Sequence, residues 1–188
     1  MLAFKGGDTG AFDALVEKYQ VPLVNYFLGQ SWDAALAEDC AQEVFVRLYT
    51  HREGYEPSAT FRTYLYRIAH NLWIDHIRRR NSRPSVRSLP GVADDGQPSM
   101  DLHAARDIDP SGNMVREETG VAVQAAISGL DDEHREVFLL GHGRGLGYDE
   151  ISSVLGIPVG TVKSRMFHAV RKLRESLKDH APDAEGPQ

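Results

Sequence analysis

GYDEISSVLGIPVGTVKSRMFHAVRKL, residues 147–173, decides how the C-terminal third of the chain folds. Ile151 and Leu155 stand one helical turn apart, as the buried positions of a first helix do. Gly156 supplies a tight turn. Ile157 and Val162 are placed to pack a second helix back onto the first, and Ser152 sits where close helix approach wants a small side chain. This is helix-turn-helix spacing. The second helix would present Val159, Gly160, Thr161, Lys163, Ser164 and Arg165 near its N-terminus, the end that reaches base edges in a major groove. Arg171, Lys172 and Arg174 would lie nearer the phosphates. A helical hairpin with a solvated basic face would share part of the pattern. The turn spacing, the buried set and the charge together favour duplex DNA.

A second stretch, FRTYLYRIAHNLWIDHIRRR (61–80), mixes rings with cations. At about 100° per residue, Phe61, Leu65, Ile68 and Leu72 fall on one stripe, a core face. Tyr66, Trp73 and Ile77 form a second apolar stripe. Tyr64, Arg67, Asn71, Asp75 and Arg78 line the remaining face. Burial accounts for Phe61 and Trp73, but not for Tyr64, nor for Tyr55 in the preceding loop. Rings beside arginines suit single-stranded DNA, where bases stack on aromatic faces and cations hold the phosphates. A base leaving the duplex also needs a pocket with hydrogen-bonding groups.

The charge distribution fits two contacts with a polyanion. The 188 residues carry a net charge of −6, which taken alone argues against nucleic acid. The average conceals segregation. Between Phe61 and Arg87 seven arginines face the single acid Asp75, a local charge of +6. Between Thr161 and Lys178 six Lys/Arg face Glu175, a local charge of +5. Seven acids and two arginines between Asp94 and Glu118 give −5. Two basic segments flank an acidic spacer.

Hydrophobic residues make up 41% of the chain, enough for a packed core. One cysteine, Cys40, excludes an internal disulfide framework and is expected in the core. No apolar run has the length of a membrane span, and no basic-then-apolar leader opens the chain. No segment alternates with period two, so the expected fold class is all-α. Helices are expected through Phe12–Phe27 with a kink or restart at Pro22, from about Asp33 to Thr50, over 61–80, from Asn113 to Ser128, after Leu130, over YDEISSVL, and from Val159 to about Leu177. The glycine-rich GHGRGLG follows a helix rather than a strand and lacks a full phosphate-loop fingerprint, so it is expected as a loop with His142 exposed. Residues 82–112, rich in Pro, Gly, Ser and Asp, are expected as a flexible acidic linker. The expected organisation is a domain over 1–81, the linker, a second domain over 113–180 and a disordered tail over 181–188. The two domains are expected to move independently.

Taken together, these motifs resemble a bacterial RNA polymerase sigma factor of the extracytoplasmic-function (ECF) group. AEDCAQEVFVRLY (37–49) resembles region 2.2 of that family, residues 61–80 resemble regions 2.3 and 2.4, and LDDEHREVFLL with the 147–173 motif resembles region 4. Regions 1.1 and 3 have no counterpart, as expected for the ECF group. The resemblance implies that Glu38, Asp39, Gln42, Glu43, Phe45 and Arg47 dock on the clamp helices of the polymerase β′ subunit. It implies that Tyr55, Thr60 and Asn71 surround a pocket for a flipped-out base of the −10 element. Tyr64, Arg67, Arg78 and Arg79 would face the −10 element, with Asp75 positioning an arginine. Tyr64 stands where the family often has tryptophan. Thr161, Lys163, Ser164, Arg165 and Arg171 would read the −35 element. The implied partners are core RNA polymerase, through the β′ clamp helices and the β flap, promoter DNA and an anti-sigma factor. The lone cysteine and the lack of an apolar span or a leader make a cytoplasmic location, without membrane insertion, the expectation. The linker resembles the segment that threads toward the polymerase cleft; a solvated tether reads the same way.

Two rival functions differ in what they explain. A stand-alone helix-turn-helix repressor or activator needs only the C-terminal motif, and leaves 37–49 and the ring-rich helix without a role. An enzyme could draw on Asp75 with His76, Asp149 with Glu150, or His142. None of these has metal-ligand spacing or belongs to a nucleophile motif. No catalytic residue, metal site or cofactor is expected.

Overall fold

The computed structural model describes residues 1–82 and 113–178. The remainder of the expected linker and the expected tail lie outside the described residues. Helix α1 (Leu2–Lys5) is followed by α2 (Thr9–Ser31), α3 (Ala34–Thr50), a single 3-10 turn (Arg52–Gly54) and α4 (Phe61–Ser82). The C-terminal half holds α5 (Asn113–Ser128), α6 (Asp132–Gly141), α7 (Tyr148–Leu155) and α8 (Val159–Leu177). No strand occurs among the described residues, so the chain is all-α.

Local chemistry sets the helix ends. Asp8 caps α2 by accepting from the Ala11 N–H (3.1 Å), and Asp33 caps α3 by accepting from the Leu36 N–H (3.0 Å). Glu150 reaches back to the Gly147 N–H at the start of α7 (3.0 Å). Gly156 ends α7 at φ 67°, the left-handed conformation the turn requires.

Three expectations need correction. Pro22 does not restart its helix: α2 runs through it, because Leu23, Tyr26 and Phe27 beyond it are fully buried and hold the helix in place. In α7 the buried partner of Ile151 is Val154, while Leu155 is only partly covered. The two halves are not independent in this structure. A continuous core runs from Leu23, Phe27, Leu65 and Tyr66 of α2 and α4 into Leu139, Leu140, Ile151 and Val162 of α6, α7 and α8. Gly29 allows this approach, since a Cβ there would meet Leu139 Cδ2 of α6 at 2.8 Å.

Candidate nucleic-acid and polymerase interfaces

Helix α3 presents a charged face. Glu38, Asp39, Gln42 and Glu43 are exposed, and Arg47 is half-buried. Arg47 Nε donates to Glu43 (2.8 Å) and its guanidinium lies 3.8 Å from Asp75 on α4. Asp75 therefore faces an arginine of the neighbouring helix rather than one on its own. Phe45, which the resemblance implies among the clamp-docking residues, is buried. It is 8% exposed and packs edge-on to Phe12 (6.4 Å), as a core ring does. Val46 and Tyr49, not among the residues the motif singles out, are 57% and 46% exposed on the same helix. Their signal is apolar character beside Gln42 and Glu43 at helical spacing. Cys40 is buried under this face, and burial, then the carboxylates of Asp39 and Glu43, push its thiol up to about 11. It stays a thiol at neutral pH and packs as a small apolar residue.

The ring-rich helix α4 has the faces its sequence implied. Leu65, Tyr66, Ala69 and Leu72 point into the core. Arg67, Asn71, Arg78 and Arg79 are exposed, and Tyr64 is half-covered. Tyr55 is not: it is 4% exposed, its ring 4.9 Å from that of Tyr64 and 6.4 Å from that of Phe61. It buttresses Tyr64 and offers no free face for stacking in this arrangement.

Part of this surface is covered by the other half. Glu150 of α7 sits over the start of α4, with Oε1 2.8 Å from the Thr60 hydroxyl and 3.1 Å from the Thr63 hydroxyl. Its Oε2 accepts from Arg62 (3.1 Å), whose guanidinium also donates to the Arg144 carbonyl (3.2 Å). Arg67 donates to Ser153 on α7 (2.6 Å). Burial raises the Glu150 pKa, but the Gly147 N–H, the two threonine hydroxyls and Arg62 outweigh it and hold the carboxylate below its ordinary range. A second junction joins α2, α4 and α6. Tyr26 donates to Glu136 (3.0 Å), and His70 Nδ1 lies 2.6 Å from the same oxygen. Burial, then Glu136, pushes the Tyr26 phenol well above its usual pKa.

On α8, Lys163, Ser164 and Arg171 are exposed and Thr161 is half-covered, all near one end of the helix except Arg171. Arg165 pairs with Glu133 of α6 at 2.5 Å, and Lys172 pairs with Asp131 at the same distance. Arg165 must therefore exchange a carboxylate for any base it reads. The residue missed here is Phe167, 65% exposed among these cations. A large exposed ring on an otherwise polar face was its only signal. Ser152 fills its close-packed position and donates to the Ile157 carbonyl across the turn (2.6 Å).

Among the described residues no cluster of His, Cys, Asp and Glu could hold a metal ion, and no helix is long and apolar enough to cross a membrane.

Comparison with known proteins places these elements beside familiar ones. Residues 15–83 match the family model described as Sigma-70 region 2, and residues 120–173 match Sigma-70, region 4. The chain is 35% identical to the RNA polymerase sigma-H factor of Pseudomonas aeruginosa, over 92% of this chain and 89% of that one. It is 34% identical to the ECF RNA polymerase sigma factor SigW of Bacillus subtilis, over 93% of each. Among solved structures, CnrH in complex with the cytosolic domain of CnrY has a TM-score of 0.66, at 24% identity and with 94% of each chain covered. The sigma factor RpoE in complex with the anti-sigma factor NepR from Bartonella quintana has a TM-score of 0.67 at 21% identity, covering 89% of this chain and 97% of that one. These two structures share the fold.

Proposed function

From the premise that the chain belongs to the sigma-70 family, as a member of its ECF group, we propose how its two halves divide the work of initiation. As a sigma factor it is a promoter-directing transcription initiation factor, not an enzyme. It makes or breaks no bond; it acts by binding. The charged face of α3, with Glu38, Asp39, Gln42, Glu43 and Arg47 and the exposed Val46 and Tyr49, docks on the β′ clamp helices of core polymerase. Phe45 supports that face from below. The α7–α8 motif, through Thr161, Lys163, Ser164, Arg165 and Arg171, reads the −35 duplex. The exposed face of α4, through Tyr64, Arg67, Asn71, Arg78 and Arg79, holds −10 bases as single strand, with Thr60 beside the base pocket and Tyr55 backing Tyr64. Holding the open strand better than the duplex shifts that equilibrium toward opening. The domain division at 81/82 and 112/113 belongs to the same proposal, as does a cytoplasmic location beside the polymerase.

The observation that carries this reading is the pairing of a ring-and-arginine face on α4 with a helix-turn-helix in one chain. A stand-alone helix-turn-helix regulator would leave the α3 and α4 faces without work. An anti-sigma partner follows from the same reading: the two solved relatives above are held by such proteins or by a cytosolic domain of a partner. The contacts of Glu150 and Ser153 with α4 imply that the halves separate before the −10 face is used.

Run-off transcription from fragmented bacterial genomic DNA, with core polymerase and with or without this protein, tests the proposal. Defined new starts that need both components are expected. Tight duplex binding by the protein alone, without new starts, would replace this reading with a repressor or activator.

A further inference from the structure

Between α2, the start of α4 and the loop joining α6 to α7 lies a cleft of about 510 Å³, within the size range of small-ligand pockets. Its lining holds three cations, Lys18, Arg62 and Arg144, and no acid. Tyr19 and Phe61, both half-buried, supply ring surface beside them, with the buried Tyr66 behind. Arg62 is already balanced by Glu150. Arg144 is not balanced. Among the described residues its Nε is buried without a hydrogen-bond partner, and the phenols of Tyr66 and Tyr26 lie beside it. Partial burial lowers its pKa, as desolvation without a counter-charge does. The Lys18 ammonium stands over the Tyr19 ring, 5.5 Å from its centroid.

We propose that this cleft binds a small phosphorylated molecule of mononucleotide size, with its phosphate on Arg144 and Lys18 and its planar part against the rings. Arg144 and the solvated Lys18 together match the charge of about −1.5 to −2 that a phosphate monoester carries at neutral pH. A guanidinium offers such a group paired N–H donors in a fixed fork. A single carboxylate would leave one of the two charges unmatched, and an apolar ligand would leave both. Arg144 comes from GHGRGLG, the glycine-rich loop that lacks a phosphate-loop fingerprint. The side chain of its one arginine, not a cradle of backbone amides, makes the site.

A ligand seated there ties α2 and α4 to the α6–α7 loop and so favours the closed packing. That consequence rests on the reading given above, in which the halves part before the −10 face is used; the binding itself does not.

Calorimetric titration of the full chain with AMP, GMP, inorganic phosphate and adenosine tests the site without polymerase or DNA. The expected result is one-to-one binding of AMP or GMP, no binding of adenosine, and a loss of about tenfold in affinity or more for both Lys18→Gln and Arg144→Gln. Lys18 is exposed, so Lys18→Gln remains informative if the Arg144 variant folds poorly. Lys178→Gln, at the far end of α8, should bind as the parent does. No binding of AMP, GMP or phosphate up to about 1 mM overturns the proposal. So does nucleotide affinity indifferent to Lys18→Gln. Inorganic phosphate binding as tightly as the nucleotides would overturn the assignment of the rings to a planar group.

Discussion

Glu150, on the first helix of the helix-turn-helix, accepts a hydrogen bond from Thr63, a buried threonine on the helix assigned to −10 capture (3.1 Å). The same carboxylate meets Thr60 and Arg62 and caps its own helix at Gly147. One side chain thus starts α7 and fastens it over α4. In the free protein the helix-turn-helix covers part of the face proposed to hold −10 bases.

Glu150→Gln should loosen this closed packing. Glutamine keeps an acceptor for the Gly147 N–H, so α7 should still form, but the charge facing Arg62 and the hydroxyls is gone. Because the carboxylate is partly solvated, the cost to the closed form should fall near the lower end of the about 1–3 kcal/mol typical of a lost buried partner. Small-angle scattering should report a larger radius of gyration for the variant, while its circular dichroism keeps the helical content of the parent. An unchanged radius would remove Glu150 from the fastening.

Acid should have the same effect. The folded pKa of Glu150 is depressed, so its contribution is fully present above the ordinary carboxylate value of 4.5 and is lost as pH falls through the lowered folded value. The parent should expand in scattering as pH falls below the ordinary carboxylate value, before its helices melt. Glu150→Gln should lack that step. Expansion of both proteins at the same pH would assign it to other carboxylates.

Arg165→Ala should weaken −35-dependent promoter binding by the holoenzyme by about 1–3 kcal/mol if this guanidinium reads a base. The substitution also frees Glu133, placing an unpaired acid beside the DNA face. Arg165→Lys separates the two effects: it keeps the charge against Glu133 but loses the forked donors. If Arg165→Lys binds as the parent does, the forked donors are not what reads the base.

Phe167→Ala should leave thermal stability within about 0.5 kcal/mol of the parent, since the ring is 65% exposed and little packing is lost. Its effect should appear in −35 binding instead, as lost apolar contact with the DNA. A large drop in melting temperature with unchanged DNA binding would make Phe167 a packing residue.

Asn71→Ala should spare polymerase binding and slow promoter opening. Asn71 is exposed on α4 and takes part in none of the fastening contacts, so the closed form should be unaffected. Permanganate footprinting of the −10 region in the holoenzyme checks this. An unchanged opening rate would take Asn71 out of the base pocket.

The helices were legible because periodicity and turn residues act locally. The stripes of α4, the Gly156 turn and the α7–α8 pair follow from spacing alone. Pro22 misled because a local penalty was outweighed by burial of Leu23, Tyr26 and Phe27, which no local pattern reports. Tyr55 and Phe45 misled for a related reason: a ring in a motif does not say which side of it faces water. The closed packing was not legible at all. It depends on Glu150 meeting Thr60 and Thr63 from about ninety residues away, and on Gly29 admitting Leu139. The linker composition pointed instead to independent motion. Arg144 was visible only as part of a glycine-rich loop, and its missing counter-charge appears only once that loop is folded against α2 and α4.

The most direct measurement is the distance between α4 and α7, free and bound to core polymerase. Spin labels at Arg80→Cys and Asp149→Cys, in a chain whose buried Cys40 is replaced by alanine, report it by pulsed dipolar spectroscopy. One short, narrow distribution is expected in the free protein and a longer one in the transcriptionally active holoenzyme. A broad distribution in the free protein, or the same short distance in an active holoenzyme, would contradict that expectation.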